Sequence, residues 1–260
     1  HSTVQSIDVA NGVCSGVTLE GGEIITAAKV VSGLDPTHTF IRLVGPAELN
    51  PSFFTQVRNI KYRGSTVRVH FALNSLPEIK GVSQDQMGTV FSVSPSIKYI
   101  ERAADAAKYG RIAEDPYVEF TIPSVINPNF APEGKHVLSA TVQYAPYHLR
   151  NQTWSEELKV QLKNSVVRVL ENYIPGFSAQ IKSSAVFSPM DLEDKFGLTE
   201  GNLNHGEMTL NQFFFMRPTI SSAQYKSPIE NLYLCGPGTH PGGGLHGANG
   251  FNAAREILKL

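Results

Sequence analysis

The stretch that decides the reading is Asn231-Leu232-Tyr233-Leu234-Cys235-Gly236-Pro237-Gly238-Thr239-His240-Pro241-Gly242-Gly243-Gly244-Leu245-His246-Gly247, followed by Ala248-Asn249-Gly250. Its first five residues are a short apolar run with the composition of a strand. The next twelve hold six glycines, and residues 248–260 have the composition of a helix. Strand, glycine-dense loop and helix bring backbone N–H groups and a helix N-terminus to one point. The orphan N–H groups and a macrodipole of roughly half a positive charge favour a negative or electron-rich ligand group there. Glycine allows positive φ and removes the Cβ that would hold a flat ligand off the backbone. The stretch therefore reads as a ligand-contacting loop, with a merely tight surface loop as the alternative.

Gly242-Gly243-Gly244-Leu245-His246-Gly247 also satisfies G-x-G-x-x-G to the letter. A dinucleotide fingerprint of that form follows its strand directly and has an acidic residue about 20 positions later. Here six residues separate Cys235 from Gly242, and 13 follow Gly247. The match is not the primary nicotinamide or flavin fingerprint.

Outward from this loop, the opposite end reads as a β-meander. Residues 3–9 alternate, Asn11-Gly12 is a two-residue hairpin signal because both positions tolerate positive φ, and 13–19 runs back. Glu20-Gly21-Gly22-Glu23 makes a second turn, 23–26 continues, and Ala27-Ala28-Lys29-Val30-Val31 reads as a fully buried strand. In the middle, 66–73 (TVRVHFAL) alternates cleanly, and 117–122, 136–144 and 180–187 are further strand candidates. Ser94-Pro95 looks like a cap and first helical position opening a helix to about Tyr109. Thr153 and Glu156 have capping-box spacing, with Trp154, Leu158, Leu162, Val166, Val169, Leu170 and Tyr173 on one helical face that stops at Pro175-Gly176. Ser188-Pro189 opens a short helix. Elements in this order predict an α+β layer with a mixed sheet covered on one side.

Composition adds bounds. The 260 residues are 41% hydrophobic and 17% charged, and 22 basic against 23 acidic residues leave no excess charge to attract nucleic acid or an anionic membrane. No apolar run approaches the roughly 18 residues of a transmembrane helix. No signal peptide is visible, so a cytoplasmic or organelle-matrix location, or one at a membrane periphery, is expected. Cys14 and Cys235 lack metal-ligand spacing and are expected to be reduced and buried.

Pro228-Ile229-Glu230-Asn231-Leu232-Tyr233-Leu234-Cys235-Gly236-Pro237-Gly238-Thr239-His240-Pro241-Gly242-Gly243-Gly244 resembles the C-terminal flavin-binding signature of the phytoene-dehydrogenase family of FAD-dependent oxidoreductases. Ala131-Pro132-Glu133-Gly134-Lys135-His136 with Gln143-Tyr144-Ala145-Pro146-Tyr147 resembles that family's substrate-domain strand pair. Gly201-Asn202-Leu203-Asn204-His205-Gly206-Glu207 and Phe215-Met216-Arg217-Pro218 resemble its approach to the flavin, and Val30-Val31-Ser32-Gly33 the part beside the adenosine. The resemblance implies FAD as cofactor and a discontinuous flavin domain. That domain is assembled from an N-terminal βαβ unit, a meander (1–45) and a C-terminal strand-loop-helix (229–260), with a substrate domain (46–228) inserted. The N-terminal Rossmann unit would lie outside these residues, which makes an N-terminal half the implied partner and the chain alone inactive. By the same resemblance, Gly236, Gly238 and Thr239 lie along the ribityl and pyrophosphate portion. Gly243, Gly244, Gly247 and Ala248 approach the isoalloxazine edge, and Asn249 stands at the helix start. The implied reaction is hydride removal from a small, apolar organic substrate, by desaturation or amine-type oxidation.

His240 is a candidate acid/base group, with loop hydrogen bonding as the other reading. His246, at the helix start, and Arg217, as a partner of a carboxylate or flavin oxygen with a structural salt bridge as the other reading, are weaker catalytic candidates. His205 and Glu207 lack a third partner at metal spacing, so no metal is expected. Phe213-Phe214-Phe215-Met216 either lines an apolar channel or is core. A function of another class, a binding or assembly module without redox chemistry, stays open beside the oxidoreductase reading.

Overall fold

Asn11 and Gly12 both take positive φ, 52° and 79°, in the computed structural model of the chain, which describes residues 2–259. They join β1 (Val4–Ala10) to β2 (Val13–Leu19), and β3 (Ile24–Thr26) completes an antiparallel sheet of order β1-β2-β3. The expected buried strand at 27–31 is instead β4 (Val30–Ser32), with Val31 45% exposed. A wide, π-type helical segment, Thr37–Val44, follows and buries Phe40. The Phe40 ring meets Phe53 edge-on at 4.8 Å in α1 (Pro51–Arg58), which Asn50 caps by accepting the Phe53 N–H at 2.9 Å. Ile7, Phe40, Phe53, Val57, Leu232 and Leu234 belong to this smaller core.

The larger core lies under a five-stranded sheet. In chain order its elements are β5 (Thr66–Leu73), β6 (Phe91–Val93), α2 (Ile97–Lys108), β7 (Tyr117–Thr121), α3 (Pro123–Ile126), β8 (His136–Gln143), α4 (Glu156–Glu171), α5 (Phe177–Gln180), β9 (Ile181–Phe187) and α6 (Pro189–Phe196). The strand order is β6-β7-β8-β5-β9. Every neighbouring pair is antiparallel, so the expected mixed sheet is corrected to an antiparallel one. The alternation of 66–73 carried that information, because a sheet covered on one face alternates, whereas parallel strands buried on both faces run continuously apolar. Val67, Val69, Phe71 and Leu73 point to the core, where α4 supplies Leu162, Val166, Val169 and Leu170.

Two helix starts move. α4 begins after Ser155, whose Oγ accepts the Leu158 N–H at 3.3 Å, rather than after Thr153. Trp154 is buried and donates to the Pro146 carbonyl at 3.0 Å, which holds it ahead of the helix instead of on its face. α2 is capped by Ser96 through the Tyr99 N–H at 3.2 Å, not by Ser94.

The chain then returns to the first region through β10 (Leu232–Leu234) and α7 (Ala248–Leu258). Two compact units result: one holds residues up to Arg63 and from Gly197 onward, the other Gly64–Phe196. These boundaries lie inside the 46–228 span read from the sequence, because α1 and the segments 197–228 pack with the first unit. Cys14 and Cys235 are free; Cys14 is buried, Cys235 only half-buried. No described helix is long and apolar enough to cross a membrane.

Candidate functional site

β10 pairs in parallel with β4, Leu232 with Val30 and Leu234 with Ser32, and the Cys235 N–H continues the ladder onto the Ser32 carbonyl at 2.9 Å. Both strands end on the same side, and the carboxyl ends of parallel strands are where open α/β sheets take ligands. The glycine loop leaves from this point. A Cβ on Gly236 would lie 2.4 Å from the Gly33 carbonyl oxygen, so glycine is required there for the two chain segments to touch.

The start of α7 is fastened to the loop by its own side chains. Asn249 Nδ2 donates to the Thr239 carbonyl at 3.0 Å and to Thr239 Oγ1 at 3.2 Å, and Thr239 Oγ1 donates to the Gly236 carbonyl at 2.8 Å. Tyr225 Oη donates to the His240 carbonyl at 2.8 Å. The side chains of Thr239 and Asn249 are thereby used within the loop, and what they leave for a ligand is backbone. Residues 244–247 are exposed. Gly244 and Gly247 hold φ of 122° and 68°, and nothing lies within 4 Å of where a Gly247 Cβ would stand. Gly243 differs, because its Cβ would overlap the Asn204 side chain. The Ala248 N–H donates to His246 Nδ1 at 3.0 Å, so one amide of the helix start is covered by the chain's own imidazole.

All eight residues expected to bind the cofactor therefore sit on one loop and helix start. Of the glycines among them, Gly236, Gly238 and Gly243 pack against Gly33, Pro36 and Asn204, Gly244 is exposed but lies against the His246 ring, and Gly247 stands open. The exposed, Cβ-free edge at an 11-residue helix N-terminus fits the electron-rich side of a flat ring.

Arg217 is 2% exposed and has no carboxylate partner among the described residues. Its guanidinium donates to the carbonyls of Glu207 at 3.1 Å, Gln212 at 3.0 Å, Gly206 at 3.3 Å and Asn204, and to Met208 Sδ at 3.0 Å. Burial lowers its pKa to about 10. Arg217 thus fixes the 204–212 segment that packs on the loop. Buried Nδ1 atoms of His205 and His240 have no hydrogen-bond partner among the described residues, and burial pulls the His205 imidazole below its ordinary value. Glu207 pairs with Arg63. Phe214 and Phe215 are exposed rather than core, and Phe215 lines an open cavity of about 760 Å³ with Tyr225, His240, Asn252, Arg255 and Lys259.

One cluster escaped the sequence reading. The Asp35 carboxylate, buried, accepts from the His38 N–H at 2.9 Å, His38 Nδ1 at 3.0 Å, Tyr62 Oη at 3.3 Å, and the Thr199 N–H and Oγ1 at 3.2 and 2.9 Å. Arg42 Nη1 lies 2.9 Å from His38 Nε2. Since arginine only donates, Nε2 is the acceptor and Nδ1 carries the proton toward Asp35. The local half of this cluster, an Asp accepting from the N–H three residues on, is a turn signal readable at Asp35-Pro36-Thr37-His38.

Residues 1–258 match the family model described as flavin containing amine oxidoreductase. The chain belongs to that family. Within the flavin-containing amine oxidoreductases it is 34% identical to the "Pyridine nucleotide-disulfide oxidoreductase domain-containing protein 2" of Rattus norvegicus, over 100% of this chain and 46% of that protein. It is 29% identical to a neurosporene-forming phytoene desaturase of Cereibacter sphaeroides, over 100% of this chain and 48% of that protein. An oxidoreductase from Methanosarcina mazei shares the fold at a TM-score of 0.59 and 16% identity, covering 100% of this chain and 49% of that one. The chain spans about half the length of the curated relatives it matches. Its architecture is a mixed α/β fold related to those of FAD-binding oxidoreductases.

Proposed function

We propose that this chain forms the C-terminal part of an FAD-dependent oxidoreductase that removes hydride from an organic substrate, of the phytoene-desaturase or amine-oxidase kind. The observation that carries the reading is the glycine loop. It leaves the carboxyl end of a parallel strand pair, exposes Cβ-free backbone at Gly244 and Gly247, and runs into the N-terminus of α7, in a chain that matches the flavin family along residues 1–258. When bound, FAD would supply a ring that accepts a hydride and carries negative charge in its reduced form. Backbone groups of residues 243–249 would hold the edge of that ring, and the helix dipole would stabilise the charge. Gly236, Gly238 and Thr239 would serve the ribityl and pyrophosphate side through main-chain groups, since Thr239 Oγ1 is already bonded within the loop. His240, whose buried Nδ1 lacks a partner among the described residues, is the side chain best suited to exchange a proton or accept a hydrogen bond there.

The unit around the loop would be the flavin-facing part, and Gly64–Phe196 the substrate-bearing part. A Rossmann unit, with the phosphate-binding fingerprint, would come from an N-terminal half such as the one the longer relatives leave room for. A small apolar organic substrate suits the exposed Phe214 and Phe215. The test is a visible absorption spectrum of the chain with added FAD, alone and joined to such an N-terminal half. The expected result is a colourless chain alone and a yellow protein with a flavin band when joined. A joined protein that neither retains nor takes up flavin rejects the reading and leaves the non-redox binding module in its place.

A further inference from the structure

The strand register of the five-stranded sheet aligns one row of side chains across its half-buried face. The row runs Phe187 on β9, Arg68 on β5, Thr141 on β8, Glu119 on β7 and Ser92 on β6. The next row runs Ala185, His70, Ser139, Thr121. Arg68 lies across β8. Its Nη1 donates to Thr141 Oγ1 and its Nη2 to Ser139 Oγ at 3.0 Å. Both acceptors are neutral, and no described carboxylate lies within the 4.0 Å of an ion pair with Arg68. The acidic member of the row, Glu119, is a strand beyond Thr141 and takes a hydrogen bond from Tyr117 Oη at 2.8 Å.

A guanidinium has five N–H donors in a planar fork, and the two hydroxyls use only two of them. Burial holds Arg68 below its ordinary value, and burial with the nearby Arg68 charge lowers the His70 imidazole as well. The middle of this face therefore keeps a positive charge that hydroxyls solvate without neutralising. Carboxylate is a single-charge anion whose two oxygens match the fork in bidentate geometry. The two rows carry no second Lys or Arg to balance a phosphate dianion, and Phe187 and Ala185 offer an apolar flank on the β9 side.

We propose that this sheet face is a carboxylate-recognition site, with Arg68 as the anion-binding residue and Ser139 and Thr141 as positioning residues. The proposal rests on the reading of Gly64–Phe196 as the substrate-bearing part, and it narrows the substrate to an organic acid with an apolar body.

The test uses the full chain and no flavin, so its outcome is separate from that of the absorption spectrum. Sodium butyrate is titrated while NMR follows the arginine Nε–H signals and the amides of Ser139 and Thr141, against sodium chloride, butyramide and inorganic phosphate at matched ionic strength. The Arg68 signal is identified by its loss in Arg68→Lys. The expected result is a saturable shift of Arg68 with butyrate alone. Read from the Ser139 and Thr141 amides, binding to Arg68→Lys is at least ~10-fold weaker, as the fork is lost while the charge remains. Thr141→Val keeps the guanidinium and removes one positioning hydroxyl; it also binds butyrate more weakly, and it gives a second reading if Arg68→Lys fails to fold. Butyrate acting no differently from chloride, phosphate binding more tightly than butyrate, or variants with unchanged affinity overturn the proposal.

Discussion

Asp35→Ala is expected to lower the unfolding free energy by roughly 3 kcal/mol, because a buried donor that loses its acceptor costs about 1–3 kcal/mol. The side chain is 2% exposed and gathers five donated hydrogen bonds from His38, Tyr62 and Thr199. Alanine would leave those donors facing an empty, dry volume, and an unmet buried donor costs more than a made bond contributes. Urea denaturation of wild type and variant measures the difference. Acid sharpens the same test. Burial alone would raise the Asp35 carboxyl, but the His38 N–H, the His38 imidazole and the Thr199 hydroxyl outweigh it and hold the group below the ordinary 3.8. A carboxyl depressed in the folded state contributes stability that is complete above its unfolded value and is lost as pH falls through its folded value. Wild-type stability is therefore expected to drop as pH falls below about 4, and Asp35→Ala to show a shallower acid slope. Equal slopes would mean that the carboxylate is not held as described.

Gly236→Ala should cost about 3 kcal/mol, the upper part of the range for overpacking a close contact. The added methyl would stand 2.4 Å from the Gly33 oxygen and 3.0 Å from the Gly33 carbonyl carbon, which are backbone atoms without a rotamer to yield. β4 and β10 would have to separate at the point where the loop starts. Gly250→Ala is the control. It lies in α7 with nothing within 4 Å of the new carbon, so the same substitution should stabilise the chain by roughly 0.5–1 kcal/mol through helix propensity. Thermal or urea midpoints that move in opposite directions support this account of the loop. Similar losses at both positions would assign no special role to the contact with Gly33.

Elements governed by neighbours in sequence were legible from the residues alone. The Asn11-Gly12 turn, the alternating β5 and the strand-loop-helix from β10 to α7 each depend on contacts or dihedrals within a few residues. The cap of α4 was displaced by two residues because Thr153 and Ser155 both fit a capping position, and the choice falls to the burial of Trp154, a tertiary effect. Nothing in the local pattern around Thr37–Val44 announces a π-type segment, in which Phe40 packs on Phe53. Asp35 draws Tyr62 and Thr199 from positions 27 and 164 residues away, and that distant half of the cluster leaves no spacing to read. Arg68 looked like any outward residue of an alternating strand. Its lack of a counterion among the described residues appears only once Thr141 and Ser139 stand beside it. Arg217 was expected to meet a carboxylate or the cofactor, yet its donors are taken by the turns that support the loop.

The exposed edge of the glycine loop as the seat of a flavin ring is tested most directly by amide hydrogen exchange on the chain joined to an N-terminal half of the kind proposed, with FAD bound and stripped. The predicted result is slower exchange on loading at residues 243–250, the open loop edge and first turn of α7. Unchanged exchange there, with protection confined to other segments of a flavin-loaded protein, would contradict the account.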